Sequence, residues 1–106
     1  MAAVKIKYIL ASQRMSMYGK DPVGAATKAL KEGMYGESRL FYVQGISKNA
    51  ADEVFDLTNN PGRQDERVVA YGTGPSLSVG DIVEVYNPDF SIEQWLCKSF
   101  GWEEII

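Results

Sequence analysis

The chain of 106 residues contains no histidine and a single cysteine, Cys97. Histidine is the usual general base near neutral pH and the commonest metal ligand, so its absence excludes the common hydrolytic triads. One cysteine can neither form an internal disulfide nor supply the ligands of a structural zinc site. The sequence therefore predicts no metal and no other cofactor, and it is typical of a protein kept in a reducing compartment.

Long apolar runs are lacking as well. No stretch approaches the roughly 18 residues of a transmembrane helix, and residues 1–5 lack the apolar run of a signal peptide. The formal net charge of −3 is opposite in sign to that of a domain that wraps phosphates, and too small for a DNA mimic. We therefore expect a soluble protein in the cytoplasm, with no membrane association.

The composition that remains is that of an ordinary globular domain. Hydrophobic residues make up 45% of the chain and charged residues 24%, which is close to the globular average. The length fits one domain, so we expect a single domain over residues 1–106. Within it, residues 12–36 carry two Met-Tyr-Gly segments around a predicted helix and are interpreted as an added loop–helix–loop segment, with residues 12–20 as its first loop.

Alternation of apolar and polar residues predicts strands at residues 4–11 and 82–86. Residues 39–46 and 94–100 are rich in apolar and aromatic residues and predict two more. The segment 39–46 is apolar on both faces, which favours a central or covered strand. An Asn-Pro-Asp turn separates 82–86 from 94–100, so these two are expected to form a hairpin. Residues 103–106 either continue the last strand or start a turn.

Helix signals lie between the strands. Asp21 and Pro22 predict the start of a helix, because an aspartate side chain caps free amide groups and proline suits the first helical position. Gly33 predicts the end of that helix. Further helices are predicted at about residues 50–58 and, as an option, 62–71. The expected fold is α+β: a single small domain with a mainly antiparallel sheet of about four strands and two or three helices packed on one face.

Acid–base catalysis would need paired carboxylates. The candidate pairs are Asp52 with Glu53, Asp65 with Glu66, and Glu103 with Glu104. Each pair is local and falls on an expected exposed face, where carboxylates keep ordinary pKa values and serve solubility. Cys97 is interpreted as a buried, unreactive thiol. We therefore expect no enzyme, and a carboxylate-based enzyme stays open as the second alternative.

Nucleic-acid binding is the first alternative. Arg63 and Arg67 lie four residues apart on the optional third helix and would share a face. Nearby aromatic side chains could stack on the bases of a single strand. Against this, Asp65 and Glu66 interrupt the arginine face, and phosphate contacts dominate nucleic-acid affinity.

Binding of a protein partner is the leading interpretation. Tryptophan, tyrosine, methionine and arginine are enriched at protein interfaces, and several of them fall in predicted loops. The candidate partner-binding residues are Met17, Tyr18, Met34, Tyr35, Arg63, Arg67, Tyr71 and Trp102. Apolar side chains in loops need either a core to cover or a partner. An exposed edge strand would also allow a homodimer.

Four segments carry a resemblance to a known family. They are Phe55-Asp56-Leu57-Thr58-Asn59-Asn60, Ser76-Leu77-Ser78-Val79-Gly80-Asp81-Ile82-Val83, Trp95-Leu96-Cys97 and Phe100-Gly101-Trp102-Glu103. Together they resemble small proteins of bacteriophages and other mobile elements, over about residues 40–105. In these proteins a helix ending in a Leu-Thr-Asn step precedes a Ser-Val-Gly-Asp strand entry and an aromatic-rich last strand.

The resemblance implies a phage or mobile-element origin. The family has no settled activity, so no catalytic residue carries over. Physically, Gly80 supplies a backbone conformation that other residues avoid, and Asp81 can accept hydrogen bonds from amides at the strand start. The leading hypothesis is a non-enzymatic accessory protein that binds a host or phage protein in the host cytoplasm. Inhibition of a bacterial defence complex is one form of it.

Overall fold

The computed structural model describes residues 1–106. Its strands are β1 (Ala2–Ile9), β2 (Tyr35–Glu37), β3 (Phe41–Val43), β4 (Ile82–Tyr86), β5 (Ile92–Cys97) and β6 (Trp102–Ile105). Its α-helices are α1 (Pro22–Lys31), α2 (Ser47–Asn59) and α3 (Gln64–Ala70), and 3₁₀ helices span Ala11–Tyr18 and Pro61–Arg63. The predicted α+β class is confirmed. None of the helices is long and apolar enough to cross a membrane.

All strands join one antiparallel sheet in the order β2-β1-β4-β5-β6, and β3 pairs with the other end of β1. The hairpin of β4 and β5 forms as predicted. The sheet has six strands, more than expected, for two reasons. Residues 34–46 form two short strands where one was predicted, and the last residues pair with β5 as a strand of their own.

The two faces of the sheet are covered by different helices. Side chains alternate along each strand, and Val4, Ile6, Val83 and Val85 form the main core with the apolar stripe of α2. On the opposite face, Ile9, Ile82 and Leu96 pack with Met17 and with the alanines of α1. The helices thus lie on both faces, where the sequence predicted one. The small side chains of Ala26 and Ala29 let α1 lie close to the end of the sheet.

Two local predictions are wrong. Residues 12–20, expected as a loop, form most of the 3₁₀ helix Ala11–Tyr18, and its Met17 is only 3% exposed. Gly80 explains this packing: it has φ +93°, and a Cβ on it would lie 2.6 Å from Cγ of Met17. The segment 39–46 is a strand only at Phe41–Val43, and it pairs with β1 alone at the sheet edge. Tyr42 there is 65% exposed, so the segment is not covered on both faces.

The helix ends follow local chemistry. Oδ1 of Asp21 accepts the N–H of Gly24 at 2.9 Å, as predicted for the start of α1, and Gly33 follows the helix at φ +71°. The first amide of α2 is satisfied from a distance, because the N–H of Ser47 donates to Oδ1 of Asn87 at 2.9 Å. Asn87 follows β4 directly, so this bond fixes α2 against the β4–β5 turn.

Candidate functional site

Four of the predicted partner-binding residues belong largely to the interior. Met17 and Tyr71 are buried, and Met34 and Tyr35 are half-buried against the α1 core. The hydroxyl of Tyr35 donates to the carbonyl of Gly80 at 2.7 Å. These side chains cover the sheet, so a partner cannot use Met17 or Tyr71 without unfolding part of the chain.

Tyr71 shows how the sequence misleads here. Its ring packs on Phe41 with the centroids 5.4 Å apart, and its hydroxyl bonds to Tyr8 and to the carbonyl of Pro75. Burial, with the Asp81 charge, raises the pKa of Tyr71 to about 12. The residue follows α3 and connects that helix to the core.

Arg67 is engaged inside the protein. It donates to the carbonyl of Thr58 at 2.8 Å, to Oγ of Ser76 at 3.2 Å and to the carbonyl of Gly74. Its guanidinium carbon also lies 5.7 Å from the centroid of the Tyr71 ring. Since Thr58 lies in the last turn of α2, Arg67 satisfies carbonyls that the helix leaves free.

Arg63 is surrounded by carboxylates. It contacts Glu53, lies 2.9 Å from Oδ2 of Asp56 and 2.8 Å from Oε2 of Glu66. The Glu66 hydrogen bond, followed by those to Glu53 and Asp56, raises the pKa of Arg63, and in turn Arg63 lowers the pKa of Glu66. The shared basic face predicted for Arg63 and Arg67 is therefore not formed, because both guanidinium groups are occupied by partners within the chain.

Asp81 is the centre of a buried hydrogen-bond network that the sequence pattern predicted only in part. Its carboxylate is fully buried and accepts N–H groups from Ile9 at 3.0 Å and Ser78 at 2.9 Å. Arg14 of the first 3₁₀ helix lies 3.3 Å away. Burial raises the pKa of Asp81, against the opposing effect of these three donors. The predicted amide contact at the strand start is found, and it reaches two further elements as well.

The exposed part of the candidate site is the aromatic surface, defined by Tyr18, Phe55, Phe100 and Trp102. Phe100 is at the tip of the β5–β6 turn and is 93% exposed. Tyr18 and Phe55 are exposed, and Trp102 is half-buried. The ring of Phe55 meets that of Trp102 edge to face, with centroids 6.5 Å apart. Of the predicted residues, Tyr18 and Trp102 lie in two adjoining grooves that share Lys98 and Ser99. The surface also includes two phenylalanines that the sequence did not single out.

Two grooves meet at the turn between β5 and β6. The first, called here the α2 groove, has a volume of about 270 Å³, and the second about 200 Å³. The α2 groove is lined by Asp52, Phe55, Asp56, Cys97, Lys98, Ser99, Gly101 and Trp102. The second groove is lined by Met17, Tyr18, Gly19, Pro22, Lys98, Ser99 and Phe100. They share Lys98 and Ser99, so the aromatic surface is continuous across the turn.

Polar groups in the α2 groove are held in place. The indole Nε1 of Trp102 donates to Oδ1 of Asp52 at 2.8 Å, and Lys98 lies 2.8 Å from Oε1 of Glu103. Cys97 is buried, and burial, with the Asp81 charge, raises the pKa of its thiol to about 11. The thiol is therefore protonated at neutral pH and is a weak nucleophile.

Two of the carboxylates proposed for acid–base chemistry, Glu53 and Glu66, come together only through Arg63, which pairs with both. Asp52, Asp65 and Glu66 are exposed, and Glu53 is paired with Arg63. Asp81 has a raised pKa but is fully buried, so no substrate can reach it. No group of three or more Cys, Asp or Glu side chains lies close enough to hold a metal ion.

Comparison with known proteins finds no matching protein family, no matching curated protein and no matching solved structure. The resemblance of residues 40–105 to phage and mobile-element proteins stays a prediction.

Proposed function

We propose that this chain is a non-enzymatic accessory protein of a phage or mobile element that binds a protein partner through the aromatic surface. The observation that carries the proposal is Phe100, which is 93% exposed at a hairpin tip and lines one of the two adjoining grooves. A phenylalanine in that position contributes almost nothing to folding. Its burial against a partner would contribute about 2 kcal/mol.

The surroundings of Phe100 fit a protein interface. Interfaces concentrate their binding energy in a few aromatic residues that enter or flank small depressions. Both grooves fall below the roughly 300 Å³ at which small-molecule pockets begin, so they suit single side chains of a partner. Trp102 and Tyr18 supply amphipathic rings at the borders of these grooves.

The charges near the surface disfavour the nucleic-acid alternative. Arg63 and Arg67 are held by groups within the chain, and the α2 groove is bordered by Asp52 and Asp56. A nucleic-acid site gains most of its affinity from cations that neutralise phosphates. The carboxylate-based enzyme is disfavoured too, because Asp52, Asp65 and Glu66 are exposed and Glu53 is paired with Arg63.

The site of action follows from the resemblance. A phage or mobile-element protein of this size would act in the cytoplasm of its bacterial host. Inhibition of a host defence complex is the form we propose, since an inhibitor needs a rigid binding surface and no chemistry of its own.

The proposal is tested with a photo-crosslinking residue, p-benzoylphenylalanine, placed at position 100. Position 90 is the matched control, because Phe90 is 94% exposed on the β4–β5 turn and borders neither groove. Both variants are expressed in the bacterium that carries the gene, irradiated, and examined by mass spectrometry of the adducts.

We expect a discrete adduct with one host or phage protein from position 100 and none from position 90. That adduct should disappear when Tyr18 and Trp102 are changed together to serine in a variant that circular dichroism shows to be folded. An equal yield from both positions, or no adduct from position 100, would overturn the proposal.

A further inference from the structure

Helix α2 and the start of α3 form an acidic part of the surface. Residues 47–66, which form α2 and the start of α3, contain two cations and five carboxylates. The difference between them equals the net charge of −3 of the whole chain. The cations are Lys48 and Arg63, and the carboxylates are Asp52, Glu53, Asp56, Asp65 and Glu66. The remaining residues together contain nine cations and nine carboxylates and therefore add no net charge.

This acidic helix surface borders the α2 groove. Asp52 and Asp56 are one turn apart on α2, and both line the groove beside Phe55 and Trp102. Their side chains are 52% and 53% exposed. The groove therefore combines two aromatic rings, which favour contact with a cation over their faces, with two carboxylates at its border.

We infer that the partner inserts an arginine- or lysine-bearing segment of its chain into the α2 groove. This inference rests on the proposed function and names the chemistry of its partner. The stem of a long basic side chain packs along apolar surface while its charged end stays at the polar border. Here the stem would lie against Phe55 and Trp102, and the cation would face Asp52 and Asp56.

The existing ion pairs do not block such an insertion. Lys48 lies 3.4 Å from Asp52 in an exposed pair one helical turn apart, and exposed pairs of this kind contribute little. Arg63 lies 2.9 Å from Oδ2 of Asp56, but its single charge is shared with Glu53 and Glu66, so this cluster keeps a negative charge. Lys98, the cation inside the groove, is already neutralised by Glu103 at 2.8 Å. An arriving cation thus meets net negative charge, whereas a phosphate backbone would be repelled.

The test uses amidated penta-arginine as the probe and penta-glutamate as the oppositely charged control. Each is titrated into the ¹⁵N-labelled full chain, and the indole N–H of Trp102 and the amides of residues 52–56 and 98–102 are followed by NMR. The groove variant is the double substitution Asp52→Asn, Asp56→Asn, which keeps an acceptor for Trp102. The control is Asp65→Asn together with Glu66→Gln, which removes the same charge from α3, away from the groove.

We expect penta-arginine to shift the Trp102 indole resonance with saturation, and penta-glutamate to leave it unchanged. The groove variant should bind penta-arginine about fivefold more weakly or worse, and the control variant should stay within about twofold of the native chain. Rising salt should weaken the native interaction.

Several results would overturn the inference. One is the absence of any shift with penta-arginine, and another is an equal loss in both variants, which would indicate unspecific attraction to the acidic helices. A Trp102 shift that depends on protein concentration without peptide, with dimers in sedimentation, would make a second copy of the chain the occupant instead. If the position-100 adduct forms while penta-arginine does not bind, the proposed function stands and this inference fails. If both experiments fail, both ideas fall.

Discussion

Asp81 accepts the backbone N–H of Ile9 at 3.0 Å and so joins the start of β4 to the end of β1 inside the protein. The same carboxylate accepts the N–H of Ser78 and faces Arg14. A buried charge is tolerated only when donors surround it, and here one side chain satisfies groups from three parts of the chain.

Replacing Asp81 by asparagine should therefore destabilise the protein strongly. The amide keeps the size of the side chain but turns one acceptor into a donor and leaves Arg14 without its buried counter-charge. We expect a loss of about 3 kcal/mol in the free energy of unfolding, measured by urea denaturation. Asp65→Asn, on an exposed carboxylate, should change it by less than about 0.5 kcal/mol. Equal effects of the two substitutions would contradict this role of Asp81.

The lowered pKa of Glu84 leads us to expect a loss of stability in acid. Burial tends to raise its pKa, but hydrogen bonds from Tyr86 and Gln94 and the Lys7 ammonium 3.2 Å away together lower it below its usual value. A carboxyl whose pKa is lower in the folded state stabilises that state at pH values above its unfolded pKa, and the contribution is lost as pH falls through the folded pKa.

The native chain should accordingly lose more stability than Glu84→Gln when the pH is lowered from 7 through about 4. Urea midpoints of both proteins at several pH values provide the measurement. Glu32→Gln serves as the control, since Glu32 is exposed and makes no side-chain ion pair. Parallel curves for the native chain and Glu84→Gln would show that Glu84 has no such coupling.

A comparison of substitutions at Gly80 and Gly72 distinguishes the cost of backbone strain from the cost of a steric clash. Both have positive φ, +93° and +94°, but a Cβ at Gly80 meets Met17, whereas one at Gly72 meets nothing within 4 Å. Gly72→Ala should cost about 1 kcal/mol from backbone conformation alone. Gly80→Ala should cost roughly 2–4 kcal/mol, because Met17 must also move.

Thermal unfolding of both glycine variants gives the comparison. Adding Met17→Ala to Gly80→Ala should recover part of the loss beyond the additive expectation for two substitutions in contact. Strict additivity would mean that the contact with Met17 is not what makes Gly80 necessary.

Phe90 predicts a stabilising substitution. It has φ +70° in the β4–β5 turn and is almost fully exposed, in a conformation that glycine adopts without strain. Phe90→Gly should raise the free energy of unfolding by about 1 kcal/mol. Phe100→Gly should give no such gain, because Gly101 already takes the left-handed position of its turn at φ +71°. An equal gain in the free energy of unfolding at positions 90 and 100 would show that relief of the positive φ at Phe90 is not its cause.

Local chemistry made much of the fold predictable. Asp21 and Pro22 predict the start of α1. The alternation of apolar and polar residues over 82–86, together with the Asn-Pro-Asp turn that follows, predicts the β4–β5 hairpin. These features are determined by residues adjacent in the sequence, so a short stretch of sequence is enough to predict them. The bounds of β4 were predicted to the residue.

Features that depend on distant residues were missed. In the 3₁₀ helix Ala11–Tyr18 the apolar residues follow no regular spacing. Met17 is buried because it packs against the turn at Gly80. Phe41–Val43 became an edge strand because β1 already pairs with β4 on its other side. The apolar content of a segment does not predict which strands will pair with it in the sheet.

The candidate site was half predictable. Aromatic and methionine residues in loops predicted a binding surface, and Trp102 and Tyr18 lie on the aromatic surface that we propose for this role. The sequence could not separate them from Met17 and Tyr71, since all four are of interface-prone types. Phe100 was available as a signal, because it is a phenylalanine placed directly before a turn glycine.

The central position of β1 has a consequence for biosynthesis. During synthesis β1 leaves the ribosome before β4. It can pair with β2 and β3 along one edge, but its other edge has no partner until β4 is made, where Ala3 pairs with Tyr86. Closing so long a loop is entropically costly and delays folding. A product truncated before residue 82 would therefore leave one edge of β1 without its partner strand and open to aggregation or to chaperones.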